Sequence, residues 1–225
     1  MMNTENDQIQ KIKQTVINVV TNPVGFFKDM PVTGGFADPM VFLAAMGFVS
    51  GVIQAFLSII GLGYKVSFFM AIASIIFVPL MVVIFSFIGA GIFFVIWKLM
   101  GSEQSFEAAY RCVAYAAAIS PLTTLIGIIP YLGAVILMGW MLFLMVTASQ
   151  EVHQQESQKS WIVLGIIFGL FTLLNLNSQY AARNIEEGMK KYNRQMEQME
   201  DMTPEEAGRA MGKFFNGFNQ GSEKE

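Results

Sequence analysis

The stretch Val66-Ser-Phe-Phe-Met-Ala-Ile-Ala-Ser-Ile-Ile-Phe-Val-Pro-Leu-Met-Val-Val-Ile-Phe-Ser-Phe-Ile-Gly-Ala-Gly-Ile-Phe-Phe-Val-Ile-Trp97 runs for 32 residues without a charge. As one helix it reaches roughly 48 Å, more than the ~30 Å of bilayer hydrocarbon. Two spans and a turn need at least ~36 residues. The length therefore predicts one long, tilted helix, kinked near Pro79, where a backbone donor is missing. A re-entrant first half is the alternative. Trp97 and Lys98 are expected to anchor its end at the interface.

Four further apolar runs flank it: Pro39–Gly63, Ser105–Ile129, Tyr131–Ala148 and Trp161–Leu176. Tyr64 and Lys65 form an interfacial stop after the first, and Trp161 and Tyr180 bracket the last. Composition agrees. The chain has 225 residues, 54% hydrophobic and only 14% charged, against about 25% charged in a soluble domain. Residues 39–180 carry four Lys/Arg and four Asp/Glu, residues 1–38 three and four, and residues 181–225 seven and nine. The expected organisation is a water-facing segment 1–38, a membrane domain 39–180 and a water-facing tail 181–225. The fold class is all-α, a polytopic bundle of about five transmembrane helices with amphipathic helices at both ends. Spans are expected at about 39–63, 66–98, 105–129, 131–148 and 161–177. Five spans put the termini on opposite sides of the membrane. A six-span reading, with 66–97 as a hairpin, would put both inside. The first 38 residues hold no signal-peptide h-region, so the first span is expected to act as an uncleaved insertion signal.

A net charge of -3 excludes a strongly basic nucleic-acid binder. The single cysteine, Cys112, excludes an internal disulfide and a Cys-rich metal site. The single histidine, His153, argues against a His-cluster metal site and is expected to cap a helix or meet headgroups. Cys112 reads as an apolar filler. No nucleophile–base set, phosphate loop or metal spacing is visible in the sequence. The expectation is a non-enzymatic protein without cofactor or metal.

Gln8–Val20 places Ile9, Ile12, Val16, Val19 and Val20 on one helical face. This predicts a helix lying on the membrane or packed against the bundle. Ile185, Met189, Tyr192, Met196 and Met199 form a heptad seam of about two repeats. Thr203-Pro204-Glu205-Glu206 is a helix start. It is followed by Ala207, Met211, Phe214, Phe215 and Phe218 on one side, a face expected to bind the bilayer, a partner, or the heptad helix folded back on it.

Within the membrane, Gly47–Gly51 and Gly165–Gly169 are GxxxG pairs that let helix backbones approach, for packing within the bundle or for dimerisation. Glu103, Glu107 and Arg111 share a helical face, and Glu107 precedes Arg111 in the favourable order for an ion pair. The pair reads as orienting its span or as a polar site, with Tyr110, Tyr115 and Gln54 as companions. Pro121, beside Ser120, Thr123 and Thr124, predicts a second kink, whose freed carbonyls those hydroxyls can bind.

Several motifs together resemble the Yip (Ypt/Rab-interacting protein) family in its shorter prokaryotic form. They are Asn22-Pro-Val-Gly-Phe-Phe-Lys-Asp-Met30, Gly101-Ser102 with Ser105-Phe106 leading to Arg111 and Tyr115, and Ile129-Pro-Tyr-Leu-Gly133. Trp140, His153, Ser157 and Lys159 follow in order. The resemblance covers about Val16 to Leu176. It implies a five-helix membrane bundle. Eukaryotic members act in vesicle trafficking and bind Rab GTPases through a cytosolic N-terminal region, and here only 38 residues precede the first span. The resulting expectation is a membrane organiser or adaptor in a bacterial inner membrane. It would contact the bilayer and a protein partner or a second copy through its helices and tail, and no nucleic acid. The alternative is a small-solute or lipid transporter with a polar site around Glu107, Arg111 and Pro121.

Overall fold

The computed structural model describes residues 2–62 and 67–200, with glycines 208 and 212. Thr203–Glu206, Ala207, Met211, Phe214, Phe215 and Phe218, which carry the expected second tail helix, lie outside the described residues. Among the described residues there are helices and short connections and no strand. The chain forms two compact units, Met1–Asn175 and Leu176–Glu225.

The first unit begins with α1 (Met2–Thr21) and α2 (Pro23–Asp29). Asn22 separates them: its side chain accepts from Gly25 N at 3.1 Å, and Pro23, with no N–H to satisfy, opens the next helix. Of the two readings of this segment, the structure shows the packed one. Val19 and Phe27 are buried in the main core, and Ile12, Val16 and Val20 pack against it.

Next come α3 (Ala37–Ile59) and α4 (Phe68–Leu99). The latter is one helix of 32 residues that carries Pro79 inside it. These two helices pack closely because Gly47 and Gly51 present no side chain. A methyl group at Gly47 would lie 2.7 Å from Pro79 Cα, and one at Gly51 would lie 2.9 Å from Ser74 O. Gly165 and Gly169, the other small-residue pair, have nothing within 4 Å of that position.

The third apolar run departs from a single helix. It folds as α5 (Phe106–Ala116), a 3-10 turn over Ala117–Ile119, and α6 (Ser120–Ile126). The cause is Pro121, which has no N–H to give the carbonyl four residues back, at Ala117. That carbonyl accepts from the Ser120 N–H instead, which tightens the turn. Thr123 and Thr124 both donate to Ser120 O, at 2.8 and 2.9 Å. The helix α7 (Leu132–Glu151) follows a tight turn at Tyr131.

The last helix, α8 (Ser157–Glu200), runs on past the apolar stretch. Its early turns supply Leu164 and Phe168 to the core. Helices α3, α4, α7 and α8 between Ser157 and Arg194 are each long and apolar enough to cross a membrane. The outward side chains of α4, among them Phe69, Ile76, Phe85 and Ile92, are exposed and apolar, as a lipid-facing surface requires.

Candidate functional site

The most buried element is α5. Ala108, Ala109, Tyr110, Arg111, Cys112, Ala114 and Ala116 are all buried, so polar groups here need partners in the protein. Ser105 caps the helix by accepting from Ala108 N at 3.3 Å. The helical spacing then sends its side chains in three directions.

Toward the start of α3, Glu107 and Arg111 hold the Gly34–Gly35 turn. Glu107 Oε1 accepts from Gly35 N at 2.6 Å, and Arg111 Nη1 donates to Gly35 O at 2.8 Å. Both glycines have positive φ, +125° and +82°, which other residues adopt at a cost. The Glu107–Arg111 ion pair is longer, 3.8 Å. The residue Arg111 is only 3% exposed, yet its Nε has no hydrogen-bond partner.

The same guanidinium lines a cleft of about 380 Å³. Lys11, Thr15 and Asn18 of α1 form one wall, and Phe26 and Asp29 of α2 another. Asp38 and Tyr115 complete it. Lys11 is paired with Asp38 at 2.7 Å. Phe26 meets Tyr115 edge to face, ring centroids 5.4 Å apart. Of the residues singled out from sequence, Arg111 and Tyr115 line the cleft, and Glu107 braces Arg111. Tyr110 faces the other way, stacked on Phe87 at 4.4 Å and 3.3 Å from Ser86 Oγ. Gln54 lies on α3, and neither it nor Pro121 lines the cleft. Spacing could not have revealed the contribution of α1, because Lys11 and Asn18 arrive from a separate helix.

The third direction leads to a buried polar cluster. His153 is 2% exposed, which corrects the expectation that it meets headgroups. The turn after α7 folds it inward: its N–H donates to Ala148 O, and Gln154 takes a positive φ of 52°. Its ring stacks on Trp97 with centroids 3.8 Å apart. Ser102 Oγ lies 2.8 Å from Nδ1, and Cys112 Sγ lies 3.9 Å from Nε2. Trp97 is itself fully buried and donates to Ser149 Oγ at 2.7 Å, so it is a core residue and not an interfacial anchor. The enclosed thiol has no route to a substrate, and the cluster reads as structural.

Burial holds the imidazole neutral, with the Lys98 charge adding to the effect, and lowers its pKa from 6.5 to about 3. An unfolded histidine takes up a proton below about pH 6.5. The folded one does so only near 3, so this group's stabilisation is complete above 6.5 and is lost as pH falls toward 3. The thermal midpoint in mild detergent should therefore fall between about pH 7 and about pH 4. The fall should be steeper than in His153→Gln, and equal slopes would count against the assignment.

Comparison with known proteins then places the chain. The model of the Yip1 domain matches residues 17–176. The chain belongs to the Yip1 domain family. No curated protein and no solved structure matches it. The Yip1 match begins within α1 and ends one residue past the boundary of the first compact unit at Asn175. The Yip1 match therefore includes the His153 cluster and most of the polar cleft, while Lys11 and Thr15 of the cleft precede it. Among the described residues no group of three or more His, Cys, Asp or Glu is placed to hold a metal ion. The protein is an integral membrane protein of the Yip family, seated in a lipid bilayer.

Proposed function

We propose that this Yip-family protein is a non-enzymatic membrane organiser, whose bundle fixes it in the bilayer while its C-terminal helix recruits a helical partner. The observation that carries this reading is the seam on α8. Ile185, Met189, Tyr192 and Met196 recur at spacings of four and three, and all are exposed. They alternate with charged residues, including the Glu186–Lys190 pair at 2.7 Å. An apolar stripe on a charged helix is what a second helix covers, by knobs-into-holes packing. The stripe lies beyond the Yip1 match, so it belongs to what this chain adds to the family domain. The same reading places the protein in a bacterial inner membrane, as the shorter form of the family suggests.

Native co-purification tests it. Mild extraction of the full chain should yield a partner protein, or a second copy, that is lost when residues 181–225 are removed. Ile185→Glu with Met189→Glu should reduce recovery roughly tenfold or more, since each buried side chain at such a seam contributes about 1–3 kcal/mol. Unchanged recovery and oligomeric state in both variants would refute the recruiting role.

A further inference from the structure

The cleft between α1, α2 and α5 carries an unmet requirement. A guanidinium with so little exposure normally satisfies its donors within the protein or with a ligand. Arg111 spends Nη1 on Gly35 O, and its Nε has no partner. Glu107 is drawn away from it by the Gly35 N–H, which leaves the ion pair at 3.8 Å. An oxyanion would add a charge-assisted partner to the one long ion pair that Arg111 makes.

The rest of the cleft argues against a simple anion. Lys11 and Asp38 neutralise each other at 2.7 Å. Asp29 of α2, which also lines the cleft, is exposed and makes no ion pair among the described residues. A purely anionic ligand would face this carboxylate. A ligand with an oxyanion at one end and an ammonium at the other would satisfy both groups. The Tyr115 ring already lies against the Arg111 guanidinium, 6.0 Å from its centroid, and helps hold that cation at the cleft. The volume, about 380 Å³, lies within the range of small-ligand sites, about 300–1,000 Å³. The cleft also sits beside the first turn of the apolar α3, which carries Asp38, and the ends of a spanning helix are what meet the headgroups.

We infer that this cleft binds a phosphoethanolamine-type zwitterion, its phosphate taken by Arg111 and its ammonium by Asp29. The group comes from a phosphatidylethanolamine headgroup or from a free phosphoethanolamine. This does not rest on the recruiting role of α8, and either reading can fail without the other.

The test uses the purified full chain in mild detergent and native mass spectrometry. Four probes are titrated separately: short-chain phosphatidylethanolamine, short-chain phosphatidylglycerol, free phosphoethanolamine and inorganic phosphate. An ethanolamine-bearing probe should bind roughly tenfold or more tightly than phosphatidylglycerol and phosphate, since the ammonium adds a charge-assisted contact. Binding of the lipid alone assigns the membrane as source, and equal binding of lipid and free compound assigns the soluble zwitterion. Asp29→Asn, a change at an exposed position that leaves the fold intact, should abolish the preference. Arg111→Lys should weaken every probe. The inference is overturned if no probe binds, if the two anions bind as tightly as the zwitterions, or if Asp29→Asn keeps the preference.

Discussion

Trp97→Ala should destabilise the folded bundle by about 3–5 kcal/mol, the range for deleting a fully enclosed large aromatic. The indole does three things at once. It fills the core where α4, α5 and α7 meet, it stacks on His153 at 3.8 Å, and it donates to Ser149 Oγ at 2.7 Å. Alanine would leave a cavity against groups that are fixed from elsewhere in the chain, because Ser102 holds the imidazole edge at Nδ1 and Ala148 O holds its backbone. Trp97→Phe separates the contributions. It keeps an aromatic surface and removes the indole N–H, so its loss should stay near the ~1 kcal/mol of a single hydrogen bond. Ser149 would still have its bond to Met145 O. Unfolding by graded detergent, followed by intrinsic fluorescence of the remaining tryptophans, measures both. A Trp97→Ala protein as stable as the Phe variant would show that the indole is not packed as described.

This residue also shows where the sequence stopped speaking. Trp97 stands at the end of an apolar run beside Lys98, and that position alone predicts an interfacial anchor. Position along a span gives depth in the membrane and says nothing of which way a side chain faces. The direction is set by α7, more than fifty residues later in the chain, whose last turn brings Ser149 to it and whose following turn brings His153. The same holds for His153: a histidine in a polar loop looks solvated, and the turn at Gln154 folds it inward. Trp161 and Tyr180, read in the same way, are exposed, as anchors would be.

What was legible rested on local chemistry. The charge distribution separates the membrane domain from its ends, and the order of short motifs carries the family resemblance that the Yip1 match supports. The 32-residue run is too short for two spans and a turn, and the structure has one helix there, Phe68–Leu99. The third run was predicted to kink at Pro121. Its larger departure, a full 3-10 turn between two helices, depends on which donor the Ala117 carbonyl finds. The polar cleft was half legible. Glu107 and Arg111 share a face by spacing, whereas α1 reaches them only through the tertiary fold. Tyr110 is one residue from Arg111 and five from Tyr115, so helical geometry turns it away from both and toward α4.

The two GxxxG pairs yield the second large effect, because the same substitution should have opposite signs at each. Gly47→Ala places a methyl group 2.7 Å from Pro79 Cα, a backbone atom that cannot swing aside. Helices in a bilayer are held by close packing, since lipid tails are as apolar as the side chains they would replace. Separating α3 from α4 to admit the methyl group should therefore cost about 1–3 kcal/mol. Gly51→Ala should behave alike, with Ser74 O at 2.9 Å. The double variant need not equal the sum, because one displacement of α4 relieves both contacts. Gly165→Ala and Gly169→Ala meet nothing within 4 Å. There the gain in helix propensity, up to about 1 kcal/mol over glycine, acts unopposed. Unfolding midpoints of the four single variants, measured in one detergent, decide the matter. Equal losses at both pairs would mean that α8 uses its glycines against a second copy of the chain. Equal neutrality would mean that α3 and α4 are not in backbone contact.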